Sequence, residues 1–278
     1  MWILISLVVL LLLLALIFFR LPYSPLSQRF QQTVAQQLAL AEPGDGVFTE
    51  AEISSLPEPV RRYFIRSGYL GAPKMSSMRA SFTQVDFALA TDRIIPIDYQ
   101  QFNLVERPER YALISASLYG LPFEGLDSLA NGKGGMEGRL AKIIPLFNQQ
   151  GASLDSASLV TWLAECLLVP AAALQDFVSW TPVDETRAQA AITWQGLTAS
   201  GIFTFADTGE LLSFRTADRT AIGMDGRETE AEWSALFSAY QEVNGLWQPT
   251  VLQSVWHYPA GDSLYFNANA QPVTISYQ

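Results

Sequence analysis

Cysteine occurs once in these 278 residues, histidine once and lysine only three times. A lone Cys166 excludes an intramolecular disulfide framework and any multi-cysteine metal site. A lone His257 excludes a multi-histidine metal site, and any Ser–His–Asp arrangement must use it. Seventeen basic residues against 27 acidic ones give a net charge of −10. Nucleic-acid binding needs clustered Lys and Arg, so that class is set aside, as is a basic membrane-surface patch. No repeat of fixed period is present, which argues against a solenoid or propeller. The run Gly132-Lys133-Gly134-Gly135 lacks the G-x-x-x-x-G-K-[ST] spacing of a phosphate loop and reads as a turn.

What is abundant is apolar. Hydrophobic residues reach 49% and charged ones only 16%, which excludes a disordered chain. One segment distorts that figure. Residues 2–19 (WILISLVVLLLLLALIFF) contain a single polar side chain, Ser6. Eighteen residues of helix span roughly 27 Å, close to the ~30 Å hydrocarbon core of a bilayer. A cleaved signal peptide has a charged region ahead of its apolar run and a small-residue site after it. Neither is present, so the run is expected to be a retained anchor in the lipid bilayer, bracketed by Trp2 and Tyr23. Arg20 and Arg29 follow it, and the positive-inside rule then favours a cytoplasmic domain.

The chain accordingly reads as a transmembrane anchor at 1–20, a juxtamembrane helix and linker at 21–47, and one β-rich globular domain at 48–278. Phe30, Val34 and Leu38 have helical spacing, and Ala41–Gly46 (AEPGDG) reads as a hinge. Thr49 ahead of Glu50-Ala51-Glu52 is a helix start, with Pro57 and Pro59 dividing two short helices. From about residue 74 the apolar period falls to two. Strands are predicted at 79–89, 98–105, 110–119, 136–147, 187–194, 198–205, 210–218, 227–240, 246–258 and 273–277. Asn244-Gly245 is a hairpin signature. One apolar helix, predicted at Ser153–Val169 with Ser153 and Asp155 as caps and Pro170 as stop, interrupts them. The fold class is therefore mainly β (α+β): a large curved antiparallel sheet or unclosed barrel wrapped around a central apolar helix, after an N-terminal transmembrane helix.

Several stretches resemble a family of uncharacterised bacterial membrane-anchored proteins. They are Leu56-Pro57-Glu58-Pro59-Val60-Arg61-Arg62-Tyr63-Phe64, Gly135-Met136 with Ile144-Pro145-Leu146, Leu163-Ala164-Glu165-Cys166 with Pro170, and Tyr240 to Thr250 (YQEVNGLWQPT). The resemblance covers residues 48–278. The strand–helix–strand order is in turn similar to the LolA-like lipoprotein-carrier fold, an unclosed barrel around apolar lid helices. That analogy implies an extracytoplasmic domain on the bacterial inner membrane, which is the placement adopted over the positive-inside count.

Chemistry is sparse. His257 follows Trp256 in a strand without evident partners, and Cys166 sits in the apolar helix as a small hydrophobe. Glu165 is the one carboxylate between Asp155 and Asp176; facing inward, it needs a cation such as Arg139 or a raised pKa, and facing outward it sits in solvent beside Thr161. The remaining signal is 12% aromatics. Phe82, Phe102, Tyr111, Trp194, Phe203, Phe205, Trp233, Phe237 and Trp256 on strands, with Trp162 and Glu165 on the helix, are the expected lining of a hydrophobic cavity. The alternative for the aromatics is a filled core. The expected function is non-catalytic binding of a lipid or acyl ligand, with no cofactor or metal. The alternatives are an envelope scaffold that binds a protein partner, and an enzyme if Glu165, His257 and an arginine converge.

Overall fold

The computed structural model describes every residue except 22, 23, 43, 91, 92 and 224; Tyr23 and part of the expected hinge thus lie outside the described residues. Helix α1 (Trp2–Arg20) is the apolar run, none of it buried against the rest of the protein. Helix α2 (Pro25–Leu40) follows, then α3 (Glu50–Ile53) and α4 (Glu58–Arg66). Thr49 and Glu52 form a reciprocal capping box at the start of α3. Glu52 also pairs with Lys74, and these bonds hold its pKa down at about 2.

The strands are β1 (Ser77–Ala90), β2 (Arg93–Leu104), β3 (Arg110–Leu118), β4 (Leu121–Ala130), β5 (Lys133–Leu140) and β6 (Ile144–Gln150). Helix α5 (Ala152–Glu165) and a 3-10 turn (Pro170–Leu174) come next. Then follow β7 (Val178–Pro182), β8 (Arg187–Trp194), β9 (Leu197–Phe205), β10 (Leu211–Thr216), β11 (Thr220–Ile222), β12 (Glu228–Glu230), β13 (Glu232–Val243), β14 (Leu246–Tyr258), β15 (Gly261–Ala268) and β16 (Thr274–Tyr277). Fourteen of them form one antiparallel sheet, thirteen in the order β6-β5-β4-β3-β2-β1-β15-β14-β13-β10-β9-β8-β7 and β16 as the fourteenth, off that path. Strand β16 also pairs with β1. Strands β6 and β7 end the order, so the sheet is curved but not closed. Hairpin β11–β12 stands apart from it.

About ten strands were expected, and the difference has local causes. Residues 136–147 are two strands, because Ala141 and Lys142 both take positive φ (52° and 68°) and reverse the chain between β5 and β6. Asn131-Gly132 makes a similar two-residue turn between β4 and β5, so Lys133–Gly135 belong to a strand rather than to the turn. Strands β4 and β15 carry too weak an alternation to be read. The ambiguous stretch 227–240 is extended, and the Asn244-Gly245 hairpin joins β13 to β14.

The central helix differs at both ends. It stops at Glu165, and a turn leads to the 3-10 segment. Its N-cap is Gly151, with neither Ser153 nor Asp155 capping. Asp155 instead accepts from the Gly134 amide and the Lys133 ammonium, each at 2.8 Å, and so fastens α5 to β5. A Cβ on Gly134 would lie 2.3 Å from the Leu154 carbonyl oxygen; glycine there lets helix and strand approach.

Two cores result. The concave face of the sheet packs on α5, α4 and the 3-10 turn. On the other face Leu26, Phe30 and Val34 of α2 cover Phe102, Leu104, Tyr111 and Leu113.

Candidate functional site

Helix α5 divides the concave interior. Leu159, Trp162 and Leu163 pack into a filled half, where the Trp162 indole N–H donates to the Leu104 carbonyl at 3.1 Å. Leu154, Ala157, Thr161 and Glu165, spaced by three and four residues, form the stripe along the other side. That stripe is one wall of a cavity of about 630 Å³. The opposing walls come from β1, β2, β3 and the β13–β15 ribbon, and residues of the β11–β12 hairpin close over it. Gln149 of β6 ties that hairpin down, donating to the Gly223 carbonyl at 2.8 Å. The lining is dominated by aromatic and aliphatic side chains, and the volume lies within the ~300–1,000 Å³ of ligand pockets.

The cavity carries one dense polar group. Arg110, 4% exposed, projects from β3 and donates to Glu165 at 2.8 Å, Asp127 at 2.7 Å and the Tyr99 hydroxyl at 2.5 Å. Asn103 donates to the same Glu165 oxygen at 2.8 Å. Burial works against the Arg110 charge, but Glu165, Tyr99 and Asp127 outweigh it and hold the guanidinium pKa above its ordinary value. Burial likewise pushes the Tyr99 phenol up. One cation shared by two carboxylates and a phenol is a connected network in which each guanidinium nitrogen donates once.

The sequence matches the model of a family of unknown function, DUF6544, over residues 46–268. The chain belongs to that family. Among solved structures this DUF6544 chain is similar to a LolA superfamily protein from Nitrosomonas europaea, at 6% identity and a TM-score of 0.40, over 79% of this chain and 92% of that one. No curated protein matches it.

The DUF6544 chain brings only some of the expected lining residues together. Phe82, Glu165, Trp233, Phe237 and Trp256 line the cavity. Phe102 and Tyr111 do not. They are cross-strand partners on the opposite face, under α2, since side chains alternate along β2 and β3. Trp162, Phe203 and Phe205 are buried in the filled half, where Phe203 contacts Trp180 and Phe214, and Phe205 contacts Tyr63. Trp194 packs on Phe177, with ring centroids 5.0 Å apart. Glu165 does face inward, but its cation is Arg110; Arg139 pairs with Glu137 in its own strand instead.

Arg110 escapes the sequence reading because it ends an Arg-Pro-Glu-Arg break. The signal was its phase, since it shares a face with core-facing Ala112 and Ile114. Arg219, Phe87 and Phe266 also line the cavity and were not singled out.

His257 does not converge with Glu165. Its Nε2 lies 2.9 Å from the Ser234 hydroxyl and its Nδ1 2.7 Å from Asp262. The order Ser–His–Asp is that of a nucleophilic triad. Ser234 is only 4% exposed, however, and the Asp262 side chain is 68% exposed. None of the three lines the cavity. The group ties β13, β14 and β15 together across their outer face. Cys166 is fully buried, and burial pushes its thiol pKa up, away from reactivity.

Proposed function

We propose that this protein is a non-catalytic, membrane-anchored receptor for a hydrophobic ligand of acyl-chain type, held in the cavity between α5 and the sheet. The observation that carries the reading is the cavity itself. A well-packed interior leaves few voids larger than a water molecule. Here about 630 Å³ stays open on one side of α5 while the other side is filled by large aromatics. Burying a chain there gains roughly 0.8 kcal/mol per CH₂.

12-Bromododecanol tests it, because bromine quenches indole fluorescence at contact. With the full chain in nanodiscs, saturable quenching is expected that weakens at least fivefold in Ala157→Trp, which fills the stripe on α5. Quenching that rises without saturation and ignores Ala157→Trp would defeat the proposal.

Helix α1 supports the anchor, being long and apolar enough to cross a bilayer. Its end is held by the β5–β6 turn: Lys142 donates to the carbonyls of Phe18 at 3.0 Å and Leu21 at 2.6 Å. The next residues, Ile143, Ile144 and Leu146, are 61%, 49% and 45% exposed. Apolar side chains beside the end of an anchor belong at a lipid interface. Cys166 is buried, so Ile143→Cys takes a thiol-reactive NBD label selectively. Its emission is expected to shift to the blue in phosphatidylcholine vesicles, while Val183→Cys at the far sheet edge keeps a water-like spectrum. Water-like emission at both positions would remove the turn from the membrane.

A further inference from the structure

Resting on the cavity-binding reading, we infer that the ligand is an anionic amphiphile, a single acyl chain with a carboxylate or phosphate head, and that Arg219 receives the head. Arg219 lines the cavity with its guanidinium carbon 4.3 Å from the ring centroid of Trp233 and 5.3 Å from that of Trp256. Both indoles line the same cavity. Nε and Nη1 of Arg219 are buried and have no hydrogen-bond partner among the described residues. Indole faces attract the cation but accept neither N–H in plane. A buried donor without an acceptor is rare in a folded protein, and here two belong to one always-charged group.

The cavity's own carboxylates do not accept from Arg219. Glu165 and Asp127 are bound to Arg110, and Asp225 accepts from the Arg227 amide at 3.0 Å. Arginine matches carboxylate and phosphate oxygens in planar geometry, so an anionic head is the group that satisfies these donors. Beyond the two indoles the lining turns apolar along Phe82, Phe87, Ile95 and Phe266, where an acyl tail fits. Arg110 is the weaker receiver, because each of its three guanidinium nitrogens already donates to Glu165, Asp127 or Tyr99.

The test is competition against 12-bromododecanol at pH 8, using dodecanoate, dodecyl phosphate, dodecanol and inorganic phosphate on the full chain in nanodiscs. Both anionic amphiphiles are expected to compete at least tenfold better than dodecanol. Arg219→Met is expected to erase that advantage, and saturable bromododecanol quenching in the variant shows that it is folded. Arg219→Lys keeps the charge and is expected to retain part of the advantage. Equal competition by dodecanoate and dodecanol, with no effect of Arg219→Met, overturns this inference and leaves the hydrophobic-binding proposal standing. Inorganic phosphate that competes against 12-bromododecanol as well as dodecyl phosphate does would assign Arg219 to a free anion and overturn the amphiphile reading. No saturable bromododecanol quenching in any chain overturns both.

Discussion

Replacing Arg110 by methionine is expected to cost about 3–5 kcal/mol of folding stability, the scale for breaking a buried ion pair from one side. The physical reason is what stays behind. Glu165 and Asp127 lose their shared cation, and Tyr99 loses its donor. Methionine fills most of the volume, so the loss is electrostatic rather than a cavity effect. Two carboxylates beside an apolar cavity are then left without a cation, Glu165 keeping only the Asn103 amide. Adding Glu165→Gln to Arg110→Met should recover part of the loss, because the amide is neutral and still accepts from Asn103. Denaturant unfolding in detergent micelles at pH 8 measures all three chains. A single-variant cost under 1 kcal/mol at pH 8 would mean that the network does not hold α5 to β3.

Trp162→Ala is the second large effect, expected at about 3–5 kcal/mol, as for other buried large-to-small changes of aromatics. Trp162 is fully buried, its ring centroid lies 5.7 Å from that of Phe177, and its N–H satisfies the Leu104 carbonyl. Alanine leaves both a void and an orphaned acceptor. Trp233→Ala provides the contrast. Trp233 borders existing empty space, so the same truncation should cost less stability and more ligand affinity. The denaturation midpoint at constant slope reads the first quantity and bromododecanol quenching the second. If the two variants lost equal stability with no difference in binding, the division of the interior into filled and open halves would be wrong.

That division explains why the candidate site was only half legible. The period-two pattern identifies residues on strands, and it brought forward Phe82, Trp233, Phe237 and Trp256, which line the cavity. It could not say which face of a strand meets which helix. Phe102 and Tyr111 are as aromatic as Phe82, yet α2 covers them from outside because their phase in β2 and β3 is the opposite one. Phe203 and Phe205 share the concave side with the cavity but are plugged by Trp180, Phe214 and Tyr63. Glu165 advertised its need for a cation. Its partner, Arg110, lies 55 positions away and is brought near only by the sheet.

By itself the sequence determined the apolar 18-residue run, the capped helix start at Thr49, the hairpin at Asn244-Gly245, the mainly antiparallel class and the scarcity of reactive side chains. Each of these follows from composition or from spacing within a few residues, where local propensity and hydrogen bonding decide the outcome. Tertiary structure alone decided that α5 would be packed on one side and bare on the other. It also placed Arg110 among carboxylates and left Arg219 between two tryptophans, its Nε and Nη1 without an acceptor among the described residues. Those outcomes depend on sheet order, on curvature and on which strand faces meet. They are set by contacts between residues far apart in the chain, which no local pattern encodes.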